Sequence, residues 1–563
     1  MTSSFATAQA LAAATPSDLP RSPLTGLMMY QPLLISTIIE YARRHYPHTE
    51  IVSRRVEGDL HRYTYADCHA RSCQLAHALQ QAGVALGDRV ATLAWNGYRH
   101  LEAYYGVSGI GAVLHTINPR LHPEQLAYII RHAEDKFLLF DLTFLPLVEA
   151  IAPHCPGVQW VALCGAAHMP KESKLAQLIC YEDWIGAQPA QIDWPQFDEC
   201  SAASLCYTSG TTGNPKGVLY SHRSTVLHAY GSALPNAINV SACDVVLPVV
   251  PMFHVNAWGL PYSTLLSGAK MVFPGPALDG KSLFEIFENE RVSFSAGVPT
   301  VWLGLLTYMK QNQLQFSTFK RTVIGGSACP PAMMDSLIDD FGVEVVHGWG
   351  MTEMSPLGTA GSLMASHLAL PKDQQRKILQ KQGHAVYGVD MKIVNEEGQE
   401  QAWDGKSWGH LLVRGPWIAS GYFKGEGGDV LHDGWFDTGD VASIDPDGYM
   451  QITDRSKDVI KSGGEWIGSI ELENIAMAHP AVAQAACIGL PHPKWDERPL
   501  LVVVKKPDAE VDAPALLAFY QEKVAKWWIP DDVAFVEALP IGATGKVQKN
   551  KIREQFQDYQ FPA

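Results

Sequence analysis

No stretch of the 563-residue sequence reaches the roughly eighteen apolar residues without a charge that a membrane span needs. Positive charge is also scarce. Lys and Arg number 43 against 58 Asp and Glu, a formal net charge of −15, which excludes nucleic acid or an anionic membrane as a partner held by bulk electrostatics. Any polyanionic ligand must be met by local basic residues. The ten cysteines include no Cys-x-x-Cys pair and lie near no His-x-His cluster, so reduced core thiols in a cytoplasmic protein are expected, and not a thiolate metal site or a disulfide framework. Met1 to Pro23 is rich in Ala, Ser and Thr but has no basic n-region followed by an unbroken apolar stretch, and it reads as a flexible tail and not a secretory signal. No repeat of fixed period is present.

What the sequence does hold is apolar material, 47% hydrophobic and 10% aromatic residues with 18% charged, enough for large buried cores. The length implies a large multi-layered domain plus at least one smaller one. Short aliphatic or β-branched runs alternate with amphipathic stretches: Val90–Leu93, Phe137–Phe140, Trp160–Leu163, Val245–Val250, Met271–Phe273 and Thr322–Ile324. The alternation predicts an α/β fold of βα units around mostly parallel sheets. Leu75, Leu79 and Gly83 fit a helix with a glycine stop. From about Gly434 the turns crowd together, and Asp445-Pro-Asp-Gly448 reads as a hairpin connection. A compact α+β unit follows, with helices expected near 470–479 and 513–526 and strands near 485–490, 500–505 and 533–536. The boundary is placed near 453–456, giving a large domain over residues 1–453 and a small lid over 454–563.

The segment with most chemistry in it is Tyr207-Thr-Ser-Gly-Thr-Thr-Gly-Asn-Pro-Lys-Gly217. Glycines let backbone N–H groups approach phosphate oxygens, hydroxyls add donors, and the lysine adds a point charge. It is not a Walker loop, because Pro215 precedes the lysine and Gly217 follows it where Ser or Thr should meet magnesium. This loop resembles the phosphate loop of the acyl-adenylate-forming superfamily, which includes acyl-CoA synthetases, firefly luciferase and peptide-synthetase adenylation domains. Further matches keep the superfamily's order: Pro251-Met-Phe-His254, Gly325-Gly-Ser-Ala328, His347-Gly-Trp-Gly-Met-Thr-Glu353, Gly434-Trp-Phe-Asp-Thr-Gly-Asp440, Asp454-Arg-Ser-Lys-Asp-Val-Ile-Lys-Ser-Gly-Gly464 and Thr544-Gly-Lys-Val547.

The resemblance implies two half-reactions. A carboxylate attacks the α-phosphorus of ATP and expels pyrophosphate, then coenzyme A displaces AMP. Charge builds on phosphate oxygens in the first step, so cations must converge there. By the same resemblance Thr208, Ser209, Gly210, Thr211, Thr212, Gly213 and Lys216 hold the β- and γ-phosphates. Glu353 takes Mg2+ and Thr352 contacts phosphate. Gly326, Ser327 and Ala328 approach the adenine, Trp349 lies flat against it beside Gly350, and Asp440 with Arg455 binds the ribose hydroxyls. Lys546 reaches the α-phosphate and the substrate carboxylate during adenylation only. Since its loop blocks the thiol's approach, the lid must rotate between steps, with Lys457 as hinge. Lys461, Gly463, Gly464 and Trp466 then line the pantetheine tunnel, and His254 sits where acyl pocket and tunnel meet. His410 departs from the superfamily, standing where it usually carries Glu.

Phe253-His-Val-Asn-Ala-Trp258, Val298 and Trp302 resemble bacterial medium- and long-chain fatty-acyl-CoA synthetases, which implies an apolar acyl pocket with Trp258 as its gate or wall, and related enzymes form homodimers. A fatty acid is thus the expected substrate. An aryl acid or a short thioether acid such as methylmercaptopropionate is the enzymatic alternative, and a catalytically silent fatty-acid or nucleotide sensor is the alternative of another class.

Overall fold

The computed structural model describes residues 24, 26–208, 214–463, 465–507, 509–542 and 546–561. Ser209, Gly210, Thr211, Thr212, Gly213 and Gly464, like the tail over 1–23, therefore lie outside the described residues.

Two large sheets form the body. The nine-stranded sheet runs from His384–Ala385 through Leu357–Ala360, Glu344–Gly350, Arg321–Ile324, Phe294–Gly297, Val245–Pro248, Lys270–Phe273 and Glu50–Arg54 to Leu60–Thr64. Its central pairs are parallel and its outer pairs antiparallel. The seven-stranded sheet runs from Leu178–Cys180 to the antiparallel edge pair Ala202–Tyr207 and Gly217–Ser221. Its other pairs are parallel. These strands are buried on both faces because helices cover both, which is why they read as unbroken aliphatic runs and not as alternating ones. The helix expected around Leu75 and Leu79 spans Tyr65–Gln81, with both leucines buried and Gly83 in the left-handed region beyond it.

A third, five-stranded sheet contains the hairpin expected at Asp445-Pro-Asp-Gly448, which joins the antiparallel strands Trp435–Ile444 and Met450–Arg455. The last of these ends at Arg455, and the first strand of the lid sheet begins at Ile460. In the lid, Val482–His492 and Asp496–Lys505 pair over nearly their whole lengths, and Asp532–Phe535 joins them in parallel. The helix expected over 513–526 stops at Ala518. Past it Tyr520 is fully buried and its hydroxyl donates to Leu472 O at 2.6 Å, an anchor on the neighbouring helix Ser469–Met477 that draws the chain off the helical path. Among the described residues no helix is long and apolar enough to cross a membrane, and the ten cysteines form no disulfide.

Candidate active site

A cleft of about 1510 Å³ lies between the large domain and the lid. At one wall the strands Ala202–Tyr207 and Gly217–Ser221 lead into and out of the glycine-rich loop. Thr208 and Lys216 close its base, Thr208 N–H donating to Lys216 O at 2.9 Å and Lys216 N–H to Thr208 Oγ1 at 3.2 Å. The Lys216 ammonium lies 4.9 Å from the centroid of the Tyr422 ring.

Next to this wall the strand Glu344–Gly350 ends in the short turn Thr352–Met354. A Cβ at Gly350 would come within 1.9 Å of Pro356 O, so only glycine lets the chain pass and deliver Thr352 and Glu353 to the cleft. Glu353 is 7% exposed. Its Oε1 accepts from the Tyr422 hydroxyl at 2.7 Å and its carbonyl from Ala419 N–H at 2.7 Å, while the Tyr220 hydroxyl donates to Thr352 O at 2.6 Å. Among the described residues no group of three or more His, Cys, Asp or Glu could hold a metal ion. A lone carboxylate at a phosphate site suits Mg2+, which keeps much of its water and arrives with its nucleotide.

Asp440 is paired in register with Arg455 across the hairpin. Arg455 Nε meets Asp440 Oδ1 at 2.7 Å, and the Trp349 indole N–H donates to Oδ2 at 2.9 Å. Burial pushes the Asp440 carboxyl above the ordinary carboxylate range, with Arg455 and Trp349 opposing it. Trp349 itself is 7% exposed, its six-membered ring packed where a Cβ on Gly358 would be 2.6 Å away. The open aromatic face expected for adenine is therefore mostly taken up by packing, and the indole edge steadies the carboxylate. Replacing Trp349 with Phe keeps a ring and removes the donor. The expected outcome is an ATP KM raised roughly tenfold, since a hydrogen bond to a buried charge is worth about 1.5–3 kcal/mol; a flat stacking role predicts no change.

Gly325, Gly326, Ser327 and Ala328 form a ledge on the cleft. His347 fastens it: its Nε2 accepts from Cys329 N–H at 3.3 Å and its Nδ1–H donates to Gln380 O at 2.9 Å. Burial holds this imidazole at a pKa of about 4, so it stays neutral and keeps that tautomer. Against the ledge lies the Trp258 indole, 3.3 Å from where a Gly325 Cβ would be.

Trp258 arrives there on an unusual backbone. Val255, Asn256, Ala257, Trp258 and Gly259 have φ of 45°, 48°, 50°, 56° and 78°, one left-handed turn in a row. Each non-glycine residue so placed costs about 1–2 kcal/mol. The turn is pinned through Asn256, whose amide donates to Ser204 Oγ at 2.8 Å and whose Oδ1 accepts from Cys206 Sγ at 3.4 Å. His254, just before it, lines the cleft with its pKa pulled down to about 4 by burial and by the charges of Lys546 and Arg120.

Lys546 opens onto the same cleft from the lid. Its carbonyl accepts from Gly542 N–H at 2.7 Å, and the helix Lys549–Gln555 behind it is tied down by Lys549 to Glu473 at 2.7 Å and Arg553 to Asp458 at 2.7 Å. Lys546 keeps exposed surface, but its ammonium lies among atoms of both domains, and there desolvation and the Arg455 charge lower its pKa to about 8, against the opposing pull of Asp440 and Glu353.

The structure thus brings Thr208, Lys216, Gly326, Ser327, Ala328, Trp349, Gly350, Thr352, Glu353, Asp440, Arg455, Lys457, His254, Trp258 and Lys546 to one cleft. It does not bring all the others. Trp302 is a correction: it is fully buried in a separate core, stacked on Phe319 at 5.7 Å, because it faces inward from the helix Pro299–Gln311. Leu303 of that helix faces the cleft instead. Phe253 is buried behind the wall, edge-on to Trp95, and Val298 packs beneath Gly326. Lys461, Gly463 and Trp466 lie away from the cleft. Trp466 docks edge-on to Trp408 at 5.5 Å and to His410 at 5.9 Å, Lys461 bonds Glu396 at 3.0 Å, and Gly463 N–H donates to Trp495 O at 2.8 Å. His410, the departure from the superfamily pattern, also meets Ser456 Oγ at 3.2 Å.

Sheets, lid and cleft together define a ligase that adenylates an acid. The chain belongs to the AMP-binding enzyme family, which matches residues 39–423, and the AMP-binding enzyme C-terminal domain matches 471–546. It is an acid–CoA ligase working through an acyl-adenylate, with ATP, Mg2+ and coenzyme A. It is similar to the 3-methylmercaptopropionyl-CoA ligase of Ruegeria pomeroyi, 55% identical over 95% of this chain and 99% of that one. The medium-chain-fatty-acid–CoA ligase of Ectopseudomonas oleovorans is 50% identical, over 95% and 98%. Among solved structures, the anthranilate CoA ligase AuaEII in complex with anthranoyl-AMP superposes with a TM-score of 0.82 at 25% identity, covering 94% of this chain and 98% of that one. ATP-bound MatB from Rhodopseudomonas palustris gives 0.80 at 26%, covering 94% and 99%.

Proposed function

We propose that the acid is short and unbranched, of the 3-methylmercaptopropionate kind, and that this reading replaces the longer fatty acid expected from sequence. The observation that carries it is Trp258, whose indole stands in the cleft against the Gly325–Gly326 ledge, where a bulky wall would shorten the space open to an acyl chain. Two relatives at 55% and 52% identity carry the name 3-methylmercaptopropionyl-CoA ligase. A medium-chain acid is the second reading, favoured by the apolar lining of Ile238, Leu260, Leu303 and Leu357 and by the relative at 50% identity. In either case Glu353 offers the carboxylate that Mg2+ would meet, and Asp440 retains lone pairs for the ribose hydroxyls beyond its two protein donors. Lys546 would bring its charge to the α-phosphate and the acid. Lys216 serves the outer phosphates, and Lys461, Gly463 and Trp466 reach the coenzyme A path only after the lid turns about Lys457.

The test is kcat/KM over a series of 3-methylmercaptopropionate, butyrate, hexanoate, octanoate and benzoate, read as AMP release with coenzyme A present. The thioether acid or butyrate is expected to lead, and a maximum at octanoate would move the assignment to the second reading. Trp258→Ala should shift the profile toward longer acids in graded steps of at most about 10- to 200-fold per methylene, because a methylene in an apolar pocket discriminates by only ~1–3 kcal/mol. ATP affinity should not change. An unaltered profile with a lowered melting temperature would leave Trp258 as packing alone.

A further inference from the structure

We infer that Tyr422 is a positioning residue for the phosphate end of the cleft, holding Glu353 by its hydroxyl and Lys216 by its ring so that the two charges do not close on each other. The inference rests on Glu353 as the carboxylate that meets Mg2+.

Two observations carry it. The Tyr422 hydroxyl donates to Glu353 Oε1 at 2.7 Å, the one carboxylate oxygen of Glu353 with a hydrogen-bond partner among the described residues. The Lys216 ammonium sits 4.9 Å from the centroid of the same ring. Within cleft walls of low dielectric, a lysine and a glutamate at one phosphate site attract strongly. Paired directly, they would have to be pulled apart before a metal–nucleotide complex could enter. Tyrosine meets each with a group that satisfies it without neutralising it, a neutral donor for the carboxylate and a π face for the ammonium.

The surroundings fix the ring in that place. It packs with Ala419 on Cys206, Val218 and Tyr220, at the roots of the strands that flank the glycine-rich loop. Ala419 N–H donates to Glu353 O, so one short segment grips Glu353 at both backbone and side chain. Beyond Tyr422, Lys424 bonds Glu134 at 2.6 Å, and Glu426 accepts from Tyr128 at 3.2 Å and lies 3.5 Å from His132. These contacts fasten the segment to the helix Pro123–Ala133. Gly427, at φ 82°, completes the arrangement, since a Cβ there would be 2.9 Å from the Lys216 Nζ.

The test separates hydroxyl from ring. In Tyr422→Phe, which keeps the ring and its packing, Mn2+ binding in the presence of a non-hydrolysable ATP analogue, followed by electron paramagnetic resonance, should weaken roughly tenfold. Metal-free binding of the analogue and the melting temperature should stay at wild type. Tyr422→Leu should weaken metal-free analogue binding as well, because Lys216 loses its π face. A Phe variant that binds Mn2+ like wild type overturns the inference. So does a Phe variant whose metal-free and metal-dependent binding fall together with its melting temperature, which would make the hydroxyl a fold contact only. A Glu353→Gln control distinguishes the underlying reading: if it binds Mn2+ as wild type does, the assignment of Glu353 fails and this inference fails with it.

Discussion

Lys546→Ala is expected to slow adenylate formation by about 10²–10³-fold, the usual cost of losing a preorganised charge at a site of developing negative charge. Thioester formation from a supplied acyl-adenylate should remain near wild type. The asymmetry follows from placement: Lys546 opens onto the cleft beside Asp440, Glu353 and Arg455 in the present lid orientation, and the proposed turn about Lys457 would carry it away. Its pH dependence adds a second signature. The working form is the ammonium, and its pKa is lowered to about 8. Charge is then present below pH 8 and lost as pH rises through it, whereas an ordinary lysine would stay charged for about two units more. Adenylate formation should fall above pH 8 while the second half-reaction does not follow it. Rapid-quench measurement of each half-reaction across pH 6.5–9.5 checks both points, and equal losses in the two would refute the role.

Glu353→Gln should have an effect as large, about 10²–10³-fold in pyrophosphate release at limiting Mg2+, with the melting temperature close to wild type. The amide oxygen of glutamine can still accept the Tyr422 hydroxyl now bound at 2.7 Å, so the fold keeps its contact and only the charge goes. Part of the loss should be recovered at high Mg2+, because a weakened ligand set is repopulated by mass action. A Mg2+ titration with an unchanged midpoint would take Glu353 out of the metal site.

How much of this was legible in the sequence depended on whether a feature was local. The central strands were legible because each is a run of aliphatic or β-branched residues buried on both faces, and Arg321–Ile324 and Lys270–Phe273 form within a residue of the runs that predict them. Asp440 and Arg455 were legible as separate motifs, but their ion pair is a matter of hairpin register. Trp302 was misread though the signal was present: with Leu305, Leu306 and Met309 it makes an i, i+3, i+4, i+7 stripe, the mark of a helix face turned to a core. Its neighbour Leu303 was the residue for the cleft. Tyr422 had no local signal, as its partner Glu353 lies 69 residues away. The Trp349 bond to Asp440 spans 91 residues and was hidden for the same reason.

The left-handed turn that carries Trp258 limits how the enzyme's substrate range can drift or be redesigned. Side chains at 255–258 are chosen under a backbone demand as well as a pocket demand, and β-branched residues, the usual small apolar substitutes for tryptophan, tolerate positive φ worst. Routes to a roomier pocket through position 258 therefore favour Gly, Ala or Asn over Val or Ile. The same turn is bolted by Asn256 to Ser204 and Cys206 on the strand that enters the nucleotide loop. A side-chain truncation at 258 leaves that mount in place, but a mutation that relaxes the backbone of the turn also slackens the strand that enters the nucleotide loop, so only the first kind changes specificity without touching nucleotide handling.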